Sequence, residues 1–257
     1  MFDLSRYLAR VGLQGTPSLA ELHRAHVTRI LFENLDPLVG IAVSLEPDAI
    51  ARKLLAGDRG GYCFEHNLLF QQALEALGAR VEPILARVRN GRPGTAINPL
   101  THLLLRVQHE GAIWHADVGF GQGTLLEPIP FGPGGPYEQF GWSYQVVSEG
   151  PLLVLQIAID DGWRDLYAFR PEPAPAIDIE LSNWFTCTHP QSRFVTHLLV
   201  TEHSADGSRT TLSDFSGEMV LSVQTPTGSK REPVARESVP ELLERRFGLR
   251  EPEPDDR

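Results

Sequence analysis

The sequence is short of cysteine and of positive charge, and each shortage excludes a class of protein. Its 257 residues include only two cysteines, Cys63 and Cys187, which are too few for a disulfide framework. The formal net charge is −10 at pH 7, whereas nucleic-acid-binding proteins usually present a net basic face. We therefore expect reduced thiols and no nucleic-acid partner.

Long apolar runs are also missing, as is an N-terminal basic segment followed by an apolar stretch. A helix that spans a bilayer needs about 20 apolar residues, and no stretch of the sequence approaches that length. A secretory signal would show the basic and apolar segments in order. We therefore expect a soluble, cytoplasmic protein without membrane contact. The apolar fraction of 42% is ordinary for a folded globular chain.

The most informative stretch is residues 59–67, Arg-Gly-Gly-Tyr-Cys-Phe-Glu-His-Asn. Apolar residues then recur at three- and four-residue spacings up to Gly78, which predicts a helix that begins near Cys63. Free N–H groups and the positive end of the helix dipole favour a thiolate in a first turn. Cys63 is therefore a candidate nucleophile. A buried cysteine that acts as a small apolar residue is the alternative.

Two later segments supply the groups that a nucleophilic thiol needs. Residues 101–107 predict a strand that carries His102, and residues 113–121 predict the next strand, with Asp117 near its end. The short connection between them predicts a hairpin, which would bring His102 and Asp117 side by side. Together with Cys63 they have the roles of nucleophile, proton acceptor and orienting carboxylate.

Other histidines compete for these roles. His66 follows Cys63 by three residues, so a helix makes it geometrically eligible as the base. His115 shares a strand side with Asp117 and is a weaker rival. We favour His102 because its strand neighbours Asp117, and the base of a triad needs an orienting acceptor.

No set of residues predicts a metal site. His23 and His26 share a predicted helix, and Cys187 lies close to His189, but two ligands do not make a zinc site. We expect these histidines to be ordinary core or surface residues and Cys187 to be a structural thiol.

The texture of the sequence changes along the chain. Residues 3–80 show helical spacing, whereas short apolar runs separated by turns follow from residue 81 and favour an antiparallel barrel or sandwich. The proline-rich stretch 171–175 predicts a stiff connector. Predicted strands cover residues 83–88, 103–107, 113–118, 142–147, 152–159, 163–169, 194–203 and 217–224, with an Asp161-Gly162 hairpin signal and a terminal helix over 239–247.

Four segments in order give the sequence a family resemblance. The stretch around Cys63, the strand Thr-His-Leu-Leu-Leu-Arg-Val at 101–107, the segment Asp-Val-Gly-Phe-Gly at 117–121 and the upstream Phe-Glu-Asn-Leu-Asp-Pro at 32–37 resemble signatures of the arylamine N-acetyltransferases. The match is dense from about residue 4 to about residue 147. Beyond residue 184 it is thinner and depends mainly on residues 188–190 and 192–194.

The resemblance implies an α+β fold: an N-terminal helical bundle (1–80), a central antiparallel β-barrel (81–175) and a C-terminal α/β lid (176–257). It also implies a triad of Cys63, His102 and Asp117 in a cysteine-protease-like arrangement, with acetyl-CoA as a co-substrate and no permanently bound cofactor. The residues expected to contact the co-substrate are Thr101, Gly119, Phe120, Gly121 and Phe194. The expected substrate pocket contains Phe32, Phe120 and Phe194, whose rings suit a flat aromatic amine.

The glycine-rich turn at residues 119–123 does not fit a dinucleotide site. Its third glycine comes one position too early, and the residues that follow do not begin a helix. Arg59 either bonds to the loop around it or contacts the co-substrate, and the sequence leaves both possibilities open.

The expected activity is transfer of an acetyl group from acetyl-CoA to an arylamine, arylhydrazine or N-hydroxyarylamine through an acetyl-cysteine, as in xenobiotic metabolism. Three alternatives remain. An amide synthase would use the same triad to join an acyl chain to an arylamine, a papain-like hydrolase would pass the acyl group to water, and a binding protein would keep the pocket without catalysis. The sequence specifies neither the natural amine nor the oligomeric state.

Overall fold

The computed structural model describes residues 2–57, 59–92, 97–160 and 162–252. Its N-terminal part is helical, and the apolar faces of its longer helices share one core. The short helix Leu35–Leu38 instead packs Leu35 against Val200 and Leu212 of the C-terminal part. α2 begins with the predicted capping box, in which the Ser18 hydroxyl accepts from Glu21 N and the Glu21 carboxylate accepts from Ser18 N. The helices are α1 (Leu4–Val11), α2 (Leu19–Arg29), α3 (Leu35–Leu38), α4 (Pro47–Ala56) and α5 (Cys63–Ala76).

The central part of the chain is an antiparallel sheet that curves into a nearly closed barrel. Its strand order is β5-β4-β3-β2-β9-β8-β7-β6. Buried aromatic and aliphatic side chains fill the interior of the barrel and form its hydrophobic core. The strands are β2 (Arg80–Val88), β3 (Leu100–His109), β4 (Ala112–Ala116), β5 (Ile129–Pro130), β6 (Gly134–Gln139), β7 (Trp142–Glu149), β8 (Leu152–Ile159) and β9 (Gly162–Phe169).

The C-terminal part, residues 176–252, is called the lid here. It has two helices, a second antiparallel sheet and a helical C-terminal end in which α8 continues into a π-helical turn, Leu243–Phe247. The elements are α6 (Ala176–Thr188), α7 (Arg193–Thr196), β10 (Leu199–His203), β11 (Arg209–Ser213), β12 (Val220–Thr225), β13 (Gly228–Pro233) and α8 (Val239–Leu242). This architecture confirms the predicted α+β class with a helical part, a barrel and an α/β lid.

One strand from the N-terminal part belongs to the lid sheet. β1 (Phe32–Glu33) pairs antiparallel with β10, so that Phe32 lies opposite Thr201, and Phe32 also forms a bridge with Gly61 in the loop before Cys63. The lid sheet therefore has the order β1-β10-β11-β12-β13. This strand fastens the cysteine loop to the lid.

Several sequence-based expectations differ from the structure in detail. The strand predicted over 194–203 is wrong at its start, because Phe194 lies in α7 and β10 begins at Leu199. The short strands β5, β6, β11 and β13 were not predicted. Asp161 of the hairpin signal, and residues 253–257 of the predicted lid range, lie outside the described residues. The division at residues 80 and 175 remains a prediction.

In the described part of the chain, no helix is both long and apolar enough to cross a membrane.

Candidate active site

A cleft of about 680 Å³ lies where the cysteine helix, the barrel and the lid meet. That volume is in the range of small-molecule sites. Most of the residues expected at the site line it. They are Phe32, Cys63, Thr101, His102, Gly119, Phe120 and Phe194.

Gly121 differs from the expectation that it lines the cleft. It is buried, and it is not among the described residues that form the cleft wall. A Cβ at this position would stand 3.4 Å from the Phe32 ring, and the Gly121 carbonyl accepts a hydrogen bond from His203 Nε2 at 2.7 Å. Gly121 therefore supports the turn and Phe32 from behind the cleft surface.

Cys63 is the first residue of α5 and is 3% exposed. Its thiol donates to the Thr101 carbonyl at 3.5 Å. Gly119 lies so close to this helix that an added Cβ would stand 2.9 Å from Cys63 Cα. The absence of a side chain at Gly119 therefore lets the end of the Asp117 strand pack directly against the nucleophile.

Burial raises the pKa of the Cys63 thiol, and the negative charges of Asp117 and Glu65 act in the same direction. The backbone N–H groups of Leu103 and Phe64 oppose this rise. The direction is opposite to the one that the helix start alone predicts, because the desolvation of a thiolate exceeds the benefit of the amides. The expected resting thiolate therefore depends on transfer of the thiol proton to a nearby base.

His102 on β3 and Asp117 just after β4 form a hydrogen bond of 2.7 Å between Nε2 and Oδ2. Both side chains are almost completely buried, at 2% and 1% exposed. Antiparallel pairing of β3 with β4 places them together, as the hairpin pattern predicts. The Nε2–H group of His102 donates this hydrogen bond to the carboxylate. In a neutral His102 the other nitrogen, Nδ1, therefore carries no hydrogen and can accept a proton.

Asp117 accepts four hydrogen bonds. His102 and the Tyr167 hydroxyl donate to Oδ2, while Asn67 Nδ2 and Gly119 N donate to Oδ1, at distances of 2.7 to 3.1 Å. Burial alone would raise the pKa of Asp117, but His102 and these hydrogen bonds hold it well below its usual range. The carboxylate is therefore anionic and fixed in orientation.

The rival bases lie away from the cleft surface. His66 uses both ring nitrogens, with Nδ1 at 2.9 Å from His26 Nε2 and Nε2 at 3.0 Å from the Leu31 carbonyl. His115 is completely buried and contacts the Tyr167 hydroxyl at 2.8 Å. Neither is among the described residues that line the cleft with Cys63.

Sequence reasoning missed several residues that build the site. Asn34 stands inside one of the stretches that carried the resemblance and Asn67 stands two residues after another, so their positions were a usable signal. The Asn34 side chain donates to the carbonyls of Phe194 and His197 and accepts from Leu199 N, and this holds Phe194 at the cleft. Tyr167 gave no signal, because it lies in an ordinary strand pattern far along the chain.

The His23 side chain also holds Asp117, by a hydrogen bond to the Asp117 backbone. Its Nε2 accepts a hydrogen bond from Asp117 N at 3.1 Å, and its Nδ1 lies 3.1 Å from the Leu126 carbonyl. Burial lowers the pKa of His23 to about 4, so the ring is neutral at neutral pH. A neutral ring with hydrogen on Nδ1 satisfies both contacts.

Arg59 belongs to a cluster of ion pairs. It forms ion pairs with Glu33 at 2.8 Å and with Asp36 at 2.6 Å, and Lys53 joins Asp36 to Glu65. The cluster binds the loop before Cys63 to β1 and α3. The partners of Arg59 are therefore carboxylates on β1 and α3, and not the carbonyls of its own loop.

The remaining candidate metal ligands do not assemble. Cys187 is buried and donates to the Trp184 carbonyl, and His189 stacks on Phe185. Across residues 2–57, 59–92, 97–160 and 162–252, no group of three or more histidine, cysteine or acidic side chains is arranged to hold a metal ion.

Basic side chains also lie in the wall of the cleft. Arg92, Arg193 and Arg231 contribute to it. Burial lowers the pKa of Arg193, and the charge of Arg92 lowers it further, so these two cations repel each other. Arg89 is different, because Glu149 and Asp165 neutralise it. A region of repelling cations is suited to a polyanionic ligand.

The chain is similar to known proteins over most of its length. The sequence model of an N-acetyltransferase family matches residues 16–253. An arylamine N-acetyltransferase from Mycolicibacterium smegmatis is 42% identical over 77% of this chain and 75% of its own. An arylamine N-acetyltransferase / N-hydroxyarylamine O-acetyltransferase from Salmonella typhimurium is 35% identical over 93% of this chain and 84% of its own.

A solved structure extends the similarity to the fold. It is the Mycobacterium marinum arylamine N-acetyltransferase in complex with CoA, with a TM-score of 0.89, 35% identity and coverage of 96% of this chain and 92% of that one.

Proposed function

The chain belongs to the arylamine N-acetyltransferase family, and from this premise we propose that it moves acetyl groups from acetyl-CoA to arylamines, arylhydrazines or N-hydroxyarylamines through an acetyl group carried on Cys63. One observation carries the proposal. Cys63 and His102 line one cleft, and an anionic Asp117 fixes the His102 ring from behind.

In the first half-reaction, the Cys63 sulfur attacks the acetyl carbonyl while the thiol proton passes to His102 Nδ1. The bond from the carbonyl carbon to the CoA sulfur then breaks, and the proton goes to the departing CoA thiolate. Asp117 stabilises the imidazolium that exists between these steps. The products are free CoA and an acetyl thioester on Cys63.

In the second half-reaction, the amine nitrogen attacks this thioester and the bond to the Cys63 sulfur breaks. His102 takes the proton that the amine loses and returns it to the sulfur. The backbone N–H groups of Phe64 and Leu103, which act on the Cys63 sulfur, are candidates to stabilise the negative oxygen of both tetrahedral intermediates.

The two substrates suit different parts of the cleft. Arg92, Arg193 and Arg231 offer cationic partners for the CoA phosphates in a chain whose net charge is negative. Phe32 and Phe194 are tilted neighbours at 6.1 Å between ring centroids, and Phe120 stands edge-on to His102 at 4.9 Å. These rings offer aromatic contacts to an arylamine.

The test is a mass measurement in two steps. Acetyl-CoA alone should add one acetyl group to the protein at Cys63, and subsequent addition of an arylamine should remove it and yield one equivalent of acetylated amine. Cys63→Ser should not be acetylated. Cys187→Ser is the matched control and should be acetylated normally, because Cys187 is buried within α6 and is not among the described residues that line the cleft.

The same experiment separates the alternatives. Acetyl groups that pass only to water would indicate a thiol hydrolase. Labelling by longer acyl thioesters but not by acetyl-CoA would indicate an amide synthase. A protein that binds CoA without acetylation at any residue would contradict the proposal and indicate a binding function.

A further inference from the structure

Behind the triad, on the side away from the cleft, lies a histidine that the proposed reaction does not use. His115 on β4 is 0% exposed, and its Nε2 lies 2.8 Å from the Tyr167 hydroxyl oxygen. Tyr167 in turn donates to Asp117 Oδ2 at 2.8 Å, the same oxygen that binds His102. Four side chains therefore form one buried line of hydrogen bonds.

The number of hydrogens on each group determines which atom donates in each of these bonds. Tyr167 has a single hydroxyl hydrogen, and it donates that hydrogen to the anionic Asp117. His115 must then carry hydrogen on Nε2 and donate to the Tyr167 oxygen. With hydrogen on Nδ1 instead, two lone pairs would face each other at 2.8 Å, and Nδ1, which has no hydrogen-bond partner among the described residues, would be a buried unsatisfied donor.

We infer that His115 is a positioning residue of the triad: its Nε2–H fixes and polarises the Tyr167 hydroxyl, which fixes the Asp117 oxygen that orients His102. A hydroxyl that accepts a hydrogen bond becomes a better donor, so successive bonds strengthen one another. The inference rests on the proposed role of Asp117 and adds a second layer of support behind it. His115 touches neither substrate nor the reacting sulfur.

A purely structural role for His115 is the competing explanation. Its ring contacts Phe169 edge-on at 5.3 Å and Phe131 at 6.3 Å between centroids, so it also fills space beside the barrel core. Burial lowers the pKa of His115 to about 4, and at neutral pH the neutral ring is available for either role. The two explanations differ in whether the Nε2–H matters.

A matched pair of substitutions separates them. Glutamine can place an N–H near the position of His115 Nε2, whereas methionine has similar length and volume but no donor. The measured quantity is the rate of Cys63 acetylation by acetyl-CoA in single turnover, with the dissociation constant for CoA and the melting temperature recorded for each variant.

We expect His115→Met to acetylate roughly five- to tenfold more slowly, the loss expected for one hydrogen bond of about 1 kcal/mol, with unchanged CoA affinity. His115→Gln should recover most of the rate. Tyr167→Phe should also be slow, and adding His115→Met to it should cost nothing further, because the path through Tyr167 is already broken. Equal rates in both His115 variants, or a full further loss in the double variant, would overturn the inference.

A measurement on the wild-type chain covers the case in which a variant does not fold. Nitrogen-15 NMR of histidine-labelled protein distinguishes the two neutral tautomers, and we expect His115 to carry its hydrogen on Nε2. An Nδ1–H tautomer would refute the inference. Failure of wild-type Cys63 to be acetylated would instead refute the proposed function, so the two failures are distinguishable.

Discussion

At the scale of single residues, the surroundings of Cys63 oppose the thiolate form that its proposed role needs. Its thiol is buried, and the nearest negative charges, Asp117 and Glu65, disfavour a thiolate. We propose that His102 offsets both effects, by accepting the proton and placing a positive charge beside the sulfur. The reactivity of the thiol should therefore report directly on that histidine.

Removal of His102 should shift the reactivity of Cys63 to higher pH. A free cysteine has a pKa of about 8.5. In the wild-type protein we expect iodoacetamide to alkylate Cys63 well below that pH. In His102→Gln the profile should move above that value, because burial and the two carboxylates then outweigh the backbone N–H groups of Leu103 and Phe64. The measurement is the alkylation rate as a function of pH, followed by mass spectrometry.

His66→Gln is the matched control for this experiment. His66 is as deeply buried and lies on the helix of Cys63, but its ring bonds to His26 and to the Leu31 carbonyl. Its alkylation profile should match the wild type. A shift in His66→Gln together with a normal profile in His102→Gln would assign the base to His66.

At the scale of elements, the close approach of the segment after β4 to α5 sets the relative positions of Asp117 and Cys63. At Gly119 an added Cβ would meet Cys63 Cα and Asn67 Nδ2 at 2.9 Å and His66 Cβ at 3.0 Å. Such distances force one of the two elements to move. Since Asp117 lies two residues earlier, its carboxylate would move with the strand end.

Gly119→Ala should therefore reduce the acetylation rate by at least about a hundredfold, as expected when catalytic groups are displaced by about 1 Å. It should also lower the free energy of unfolding by about 1–3 kcal/mol. Gly57→Ala is the control, because Gly57 is exposed and a Cβ there meets nothing within 4 Å. Similar losses in both variants, in single-turnover and urea-unfolding measurements, would contradict this account.

Sequence patterns predicted the long elements for physical reasons. α5, β3 and β4 have strong periodicity and a short connection, so Cys63 was placed at a helix start and His102 on a strand, whereas Asp117, predicted inside its strand, lies one residue after β4. The two-residue strands β1 and β5 leave no periodic signal. Their pairing is decided by tertiary contacts, which local patterns do not contain.

The second layer around the triad was unpredictable for a related reason. Tyr167 and His23 reach Asp117 from β9 and α2, which are distant in sequence, and both occupy positions where any buried residue would fit the pattern. Phe194 was assigned to the cleft only through the family resemblance, and its element was assigned wrongly because α7 is a single turn.

At the scale of the whole molecule, neutral histidines are distributed through the interior. Burial lowers the pKa of His23, His66 and His115 to about 4 and that of His203 to about 3, and it also lowers the pKa of His26. In an unfolded chain each would titrate near 6.5. Between these values the unfolded state binds more protons than the folded state, so stability falls as the pH falls.

We expect the free energy of unfolding to be greatest above about pH 6.5 and to decrease toward about pH 4, by roughly 1.4 kcal/mol per pH unit for each histidine that gains a proton on unfolding. Urea unfolding at several pH values measures this slope. His23→Gln should reduce this slope by about 1.4 kcal/mol per pH unit, which is the contribution of one proton.

The strand β1 also has a consequence for how the chain matures during synthesis. Phe32 and Asn34 are made early, but their partners Thr201, Phe194 and Leu199 are made only after the barrel. Until then Phe32 has no β10 to pair with, and the wall of the cleft is open. During most of translation the nascent chain therefore contains Cys63 without a complete cleft wall. We expect it to become catalytically active only after the lid has been synthesised and has folded.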